Sequence, residues 1–104
     1  MAKADDRVNE AIRVFMREAG KKHNIVRAYL YGSFSKGTDS EWSDIDLAIV
    51  SPDFTEDIFE DRLNLMRLAA SIDDRIEPHP FNLERFNCND PLADEIQREG
   101  IQIA

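Results

Sequence analysis

The sequence predicts an α/β domain of two layers, a short mixed β-sheet covered by helices. Two segments with apolar residues at helical spacing, a third segment with clear helix start and stop signals, and intervening strand-length apolar runs predict it. Their order along the chain is αβ, β, α, β, α(β).

The first helix is read from Val8, Ala11, Ile12, Phe15, Met16 and Ala19. Asp5 and Asp6 precede it as capping candidates, and Lys21 and Lys22 follow at the negative end of its dipole. Ile25 to Tyr31 is β-branched and aromatic, stops at Gly32, and has the length of a buried strand. Ile45 to Val50 is a second strand, closed by Ser51-Pro52-Asp53. Asp57 and Glu60 form a capping pair for a second helix. Phe59, Leu63, Met66 and Ala70 run down one side of that helix, which is expected to cover the sheet. Leu65, Leu68 and Ile72 widen its apolar arc, enough to serve a partner surface as well. Arg75 to Glu77 reads as a short third strand, and Pro78 beside it argues for a sheet edge. Asn89-Asp90 before Pro91 starts a last helix, Gly100 stops it, and Ile101 and Ile103 form a final strand.

With 104 residues, 42% of them hydrophobic, and 4 Gly and 4 Pro, the chain has the composition of one globular domain, residues 1–104. A chain of this size buries about 60% of its extended surface on folding, so any active site must sit at the rim of its core. No apolar run approaches the roughly 18 residues of a membrane span, and Met1 to Asp6 has no signal-peptide character. A cytoplasmic protein is expected. Cys88 is the single cysteine, so no internal disulfide forms. Thirteen basic residues against twenty-one acidic ones leave a net charge of −8, the wrong sign for gripping nucleic acid through its phosphates. Polymeric nucleic acid is therefore not expected as the sole substrate.

Two devices carry chemistry. In Tyr31-Gly32-Ser33-Phe34-Ser35-Lys36-Gly37, a strand ends at Gly-Ser and a second Gly follows four residues after Ser33. Neither Gly has a Cβ to keep a ligand from the backbone, and a helical turn starting at Ser33 would aim free N–H groups at a phosphate. Lys36 adds a positive charge nearby. In Trp42-Ser43-Asp44-Ile45-Asp46-Leu47-Ala48-Ile49, Asp44 and Asp46 project from one face of a strand while Ile45, Leu47 and Ile49 enter the core. Carboxylates with Cα atoms roughly 5 to 7 Å apart repel, so they either raise each other's pKa or are neutralised by a cation, for which hard oxygen ligands favour Mg²⁺ or Mn²⁺. Glu77, alternating with core-facing Ile76, is the candidate third acid, with Asp73 and Asp74 as fallbacks. Trp42 reads as a lid on the core rather than a base-stacking residue, and His23 and His79 as surface or helix-end residues. Together the devices would hold a triphosphate with two ions about the reacting phosphate. These residues leave open whether the α- or γ-phosphate reacts.

The segment from Gly32 to Ile49 resembles the signature of the DNA polymerase β-like nucleotidyltransferase superfamily: Gly-Ser, a Gly four residues on, then Ser-Asp-x-Asp-Leu. The short length is similar to the minimal nucleotidyltransferases (MNT) of prokaryotic HEPN/MNT toxin–antitoxin pairs. The resemblance covers the first 50 residues, and the rest by element order. It implies a polymerase β palm-like fold. Gly32, Ser33, Lys36, Gly37 and Ser43 would bind nucleotide, and Asp44 and Asp46 would bind two Mg²⁺ or Mn²⁺ ions. Glu77 would stand where the family more often has Asp, binding the catalytic ion and orienting or deprotonating the incoming hydroxyl. The implied activity is transfer of AMP from ATP, or of another nucleoside monophosphate, to a hydroxyl of a protein or small molecule. The implied partner is a HEPN-type protein, in a homo- or hetero-oligomer. The alternative is a non-catalytic nucleotide-binding antitoxin that neutralises its partner by covering it.

Overall fold

The computed structural model describes residues 6–32, 44–54, 58–87 and 90–104. Asp5, Trp42, Asp57, Cys88 and Asn89 lie outside the described residues. The elements run α1 (Asp6–Lys22), β1 (Arg27–Tyr31), β2 (Ile45–Val50), α2 (Ile58–Ile72), β3 (Ile76–Phe81), α3 (Leu83–Asn87), α4 (Pro91–Glu99) and β4 (Ile101–Gln102). The strands form one sheet in the order β3-β2-β1-β4. β1 pairs antiparallel with β2 and β4, and β2 pairs parallel with β3. A parallel pair needs a long crossover, and α2 supplies it. The sheet is therefore mixed, as the sequence predicts.

Alternation along the strands sorts residues onto two faces. Ala28, Leu30, Ile45, Leu47, Ile49 and Ile76 point to one, where Val8, Ile12, Phe15 and Ala19 of α1 and Leu65 and Ala69 of α2 complete the larger core. Tyr29, Ala48, Val50 and Phe81 point to the other, where Phe86 of α3 and Ala93 and Ile96 of α4 cover them. This second cover reaches only part of the sheet. Tyr31 sits at its margin, half-buried, and beyond it the β1–β2–β3 face carries polar side chains.

Three local expectations change. α2 does not turn Phe59, Leu63, Met66 and Ala70 to the sheet: Leu65 and Ala69 are the buried pair, while Phe59 is 76% and Met66 44% exposed. With apolar residues on both arcs the sequence leaves the rotation of α2 undetermined, and contact with α1 and β3 sets it. β3 runs on past Glu77 to Phe81, through Pro78 and Pro80. The backbone of β3 turns its odd-numbered residues to β2, since Ile45 N donates to Arg75 O at 2.7 Å and Ser51 N to Phe81 O at 3.0 Å. Both prolines have even numbers, so the N–H groups they lack would have faced the open edge. α3 is the third change. Asn82 Oδ1 accepts from Arg85 N at 2.7 Å and starts it, and Phe86 packs its ring 5.3 Å from Phe81 and 5.6 Å from Tyr29.

α4 begins and ends where Asp90-Pro91 and Gly100 indicate. Asp90 Oδ1 accepts from Leu92 N at 2.9 Å and Ala93 N at 3.2 Å, and Arg85 Nε donates to Oδ2 at 3.2 Å. The bond from Ala93, with those from Arg85 and Leu92, holds this carboxyl below its ordinary range. Asp90→Ala is expected to cost about 1 kcal/mol, read as a fall of roughly 4–8 °C in melting temperature. Because the folded value is depressed, the Asp90 contribution is present at neutral pH and disappears as pH falls through it. The gap between wild type and variant should therefore close in acid.

Candidate active site

The polar patch is built by strand register. Tyr31 of β1 lies opposite Asp46 of β2, and Asp46 lies opposite Glu77 of β3, so one row across three strands carries a phenol and two carboxyls. One step along, Ala48 lies opposite His79, which shares the face of Glu77 because the two are two residues apart. Asp46, Glu77 and His79 each offer a ligand atom, and these atoms lie within 4.8 Å of one another.

Gly32 closes the row. Its φ of +76° is a left-handed conformation, and a Cβ placed there would meet Asp46 Oδ2 at 2.5 Å. The glycine thus permits both the turn at the end of β1 and the seating of the Asp46 carboxylate against that turn. Asp44, one residue ahead of β2, is exposed and stands outside the 4.8 Å cluster, yet its charge acts on Asp46 and Glu77 alike. Ser33, Lys36, Gly37 and Ser43 lie outside the described residues.

Electrostatics mark this row as short of positive charge. Burial is the largest cause raising the Asp46 carboxyl, and the Asp44 charge adds to it, while a hydrogen bond with Glu77 opposes. Glu77 is raised by burial, then by Asp44, by that same hydrogen bond and by the charge of Asp46; His79 opposes. The shared bond lowers Asp46 and raises Glu77. Burial, with the charges of Asp46 and Glu77, pushes the Tyr31 phenol above its ordinary value and keeps it a neutral hydroxyl. His79 is pushed down, first by burial and then by Arg62, and is a neutral imidazole at neutral pH. Its Nε2 is buried with no hydrogen-bond partner among the described residues, 3.6 Å from Asp46 Oδ1.

Two crowded carboxyls and an orphaned imidazole nitrogen form a donor set that a divalent cation fits. Such an ion competes with protons for the two raised carboxyls. Cation affinity is accordingly expected to weaken as pH drops from neutral through the raised range of the pair, which calorimetric titrations at two pH values would measure. Without cation the sign reverses: the raised pair stabilises the fold below its unfolded pKa values and loses that contribution as pH rises through the folded ones.

A family model described as polymerase beta, nucleotidyltransferase matches residues 14–104. The chain belongs to this nucleotidyltransferase family. A toxin–antitoxin crystal structure with AMP-PNP is similar over 91% of this chain and 71% of its own, at 26% identity and a TM-score of 0.64. The MntA-HpeT toxin–antitoxin carrying a Y104A mutation is similar over 92% of this chain and 71% of its own, at 27% identity and a TM-score of 0.61. A Sulfolobus solfataricus protein described as a nucleotidyltransferase shares the fold over 98% of this chain and 89% of its own, at 18% identity and a TM-score of 0.58. No curated protein sequence matches the chain. The α/β nucleotidyltransferase fold and the likeness to MNT-type proteins agree with the resemblance read from Gly32 to Ile49.

Of the sequence candidates, Gly32, Asp46 and Glu77 are brought together, Asp44 stands just outside, and Asp73 is engaged elsewhere, its Oδ2 taking Arg75 Nη2 at 3.0 Å. Tyr31 and His79 were missed as members of the patch. The parity that selected Glu77 applies equally to His79, two residues on, and is the signal that would have found it. Among the described residues no helix is long and apolar enough to cross a membrane.

Proposed function

We propose that this nucleotidyltransferase moves a nucleoside monophosphate, AMP from ATP, onto a hydroxyl of a protein or small-molecule acceptor. The single observation that carries the proposal is the pairing of Asp46 with Glu77 on adjacent strands, beside a left-handed glycine and within reach of the Asp44 charge. Asp44, Asp46 and Glu77 would hold Mg²⁺ or Mn²⁺. When bound, such ions polarise phosphoryl oxygens and offset the charge that develops on them.

The residues supply the rest. The turn begun at Gly32, with Ser33, Lys36, Gly37 and Ser43 after it, is proposed to position the triphosphate. Glu77 receives the proton of the attacking hydroxyl as the new oxygen–phosphorus bond forms and the bond to pyrophosphate breaks. Burial and the charge of Asp44 raise its carboxyl above the ordinary range, the direction that favours taking up a proton. Tyr31, a neutral phenol in the same row, keeps a hydroxyl proton that it can donate.

The partner is proposed to be a HEPN-type toxin, in a cytoplasmic pair of the kind that the neighbouring toxin–antitoxin complexes represent. The exposed stripe of Phe59 and Met66 on α2 supports a protein partner, and it also favours a second reading, an antitoxin that neutralises by covering. One experiment separates the two. Labelled ATP, divalent cation and the product of the adjacent gene are incubated with wild type and with Asp44→Asn. The enzymatic reading expects transfer of label by wild type alone, together with protection from the toxin. Protection without label, retained by the variant and lost in a Phe59→Asp/Met66→Asp variant, would establish the covering reading instead.

A further inference from the structure

We propose that His79 is a nitrogen ligand of the cation site formed by Asp46 and Glu77, and that it biases this site toward a first-row transition ion, Mn²⁺ over Mg²⁺. The inference deepens the proposed function and rests on its premise that these carboxylates hold a divalent ion.

Strand register places His79 on the face and in the column of Glu77, one row from Asp46. Its row partner on β2 is Ala48, a small side chain that offers the imidazole no polar partner. The Tyr31 ring, 5.7 Å away and tilted by 60°, flanks it and limits its rotation. Nε2 is thereby buried and directed at Asp46 Oδ1, but at 3.6 Å it is beyond hydrogen-bond range. An imidazole nitrogen buried without a partner costs free energy, unless a ligand completes it. Two donors bonded to one ion, each at about 2.1 Å, stand roughly 3.0 to 3.5 Å apart. The observed spacing is close to that of two atoms sharing an ion, and the set of three stays within 4.8 Å.

The identity of the ion follows from ligand chemistry. Mg²⁺ takes oxygen ligands and keeps its waters, whereas imidazole suits transition ions. Two carboxylates retain affinity for both classes, and one nitrogen separates them.

The test compares Mn²⁺ and Mg²⁺ binding by calorimetry in wild type and His79→Gln, with circular dichroism reporting on the fold. Glutamine can offer an oxygen but no ring nitrogen. Mn²⁺ binding is expected to weaken by about tenfold or more while Mg²⁺ binding changes by less than about threefold. Wild-type protein with ¹⁵N-labelled histidine supplies a measurement that does not depend on how the variant folds. Electron spin echo modulation of bound Mn²⁺ should contain one directly coordinated ¹⁵N, and it should persist in His23→Gln. Equal weakening of both ions, no weakening, or no nitrogen coupling overturns the assignment of His79 and leaves the carboxylate site intact. If wild type binds neither ion while Asp46→Asn behaves identically, the cation premise of the proposed function fails, and the His79 assignment with it.

Discussion

Asp46→Asn is expected to reduce nucleotidyl transfer by about three orders of magnitude, or roughly 4 kcal/mol of transition-state stabilisation. Single groups aimed at developing charge are typically worth 10² to 10³ in rate, and Asp46 has a further duty. It is the middle member of the row, hydrogen-bonded to Glu77 on one side and register-paired with Tyr31 on the other, and it faces His79. The asparagine cannot take a share of a cation's charge, so calorimetry should detect loss of divalent-ion binding alongside the loss of turnover. Stability should move the other way. In the cation-free protein Asp46 is a carboxyl raised by burial and by Asp44, and it raises Glu77 in turn. Removing its charge relieves that repulsion, so the melting temperature at neutral pH should stay level or rise. Single-turnover rates within about tenfold of wild type would remove Asp46 from the reacting centre.

Gly32→Ala is expected to damage the fold and the site together. A side chain at φ +76° meets the left-handed penalty of about 1–2 kcal/mol. The added methyl also lands 2.5 Å from Asp46 Oδ2, and that carboxylate can move aside only by disturbing its hydrogen bond with Glu77. A combined loss of about 2–3 kcal/mol corresponds to a melting temperature lower by roughly 10–20 °C for a chain of this size. The carboxylate must shift to admit the methyl, so ion binding should weaken even in the molecules that remain folded. Gly20→Ala provides the contrast. Gly20 is helical in α1 with nothing within 4 Å of a Cβ built there, and alanine should stabilise by about 0.5–1 kcal/mol. If both substitutions gave the same change, the contact between Gly32 and Asp46 would carry none of the weight assigned to it.

These two residues illustrate how much of the site was legible beforehand. Gly32 and Asp46 stand out in the sequence because a glycine ending a strand and two aspartates two apart are local patterns, read within a few residues of chain. That the glycine accommodates the aspartate could not be read, since it follows from the register of β1 on β2 across the segment joining them. Glu77 was reached by alternation with Ile76, a local rule, but its place opposite Asp46 depends on α2 carrying the chain over the sheet to a parallel pairing. The same rule extends to His79, yet the sequence predicts the strand only from Arg75 to Glu77, with Pro78 as the sign of a sheet edge. β3 does lie at the edge of the sheet among the described residues, and there the strand runs on through both prolines to Phe81.

The order of the strands and the longer helices, the α/β class and the ends of α4 were determined by the sequence itself. Each depends on periodicity, caps and turns that act over less than about two turns of helix or one strand. Tertiary structure decided the rest: which arc of α2 is buried, the second cover made by α3 and α4, and the meeting of Asp46, Glu77, His79 and Tyr31 on one face. The physical reason is that burial and register are properties of facing surfaces. A wide apolar arc has several ways to pack and a strand has two faces, and the choice is made only when the neighbouring element is in place.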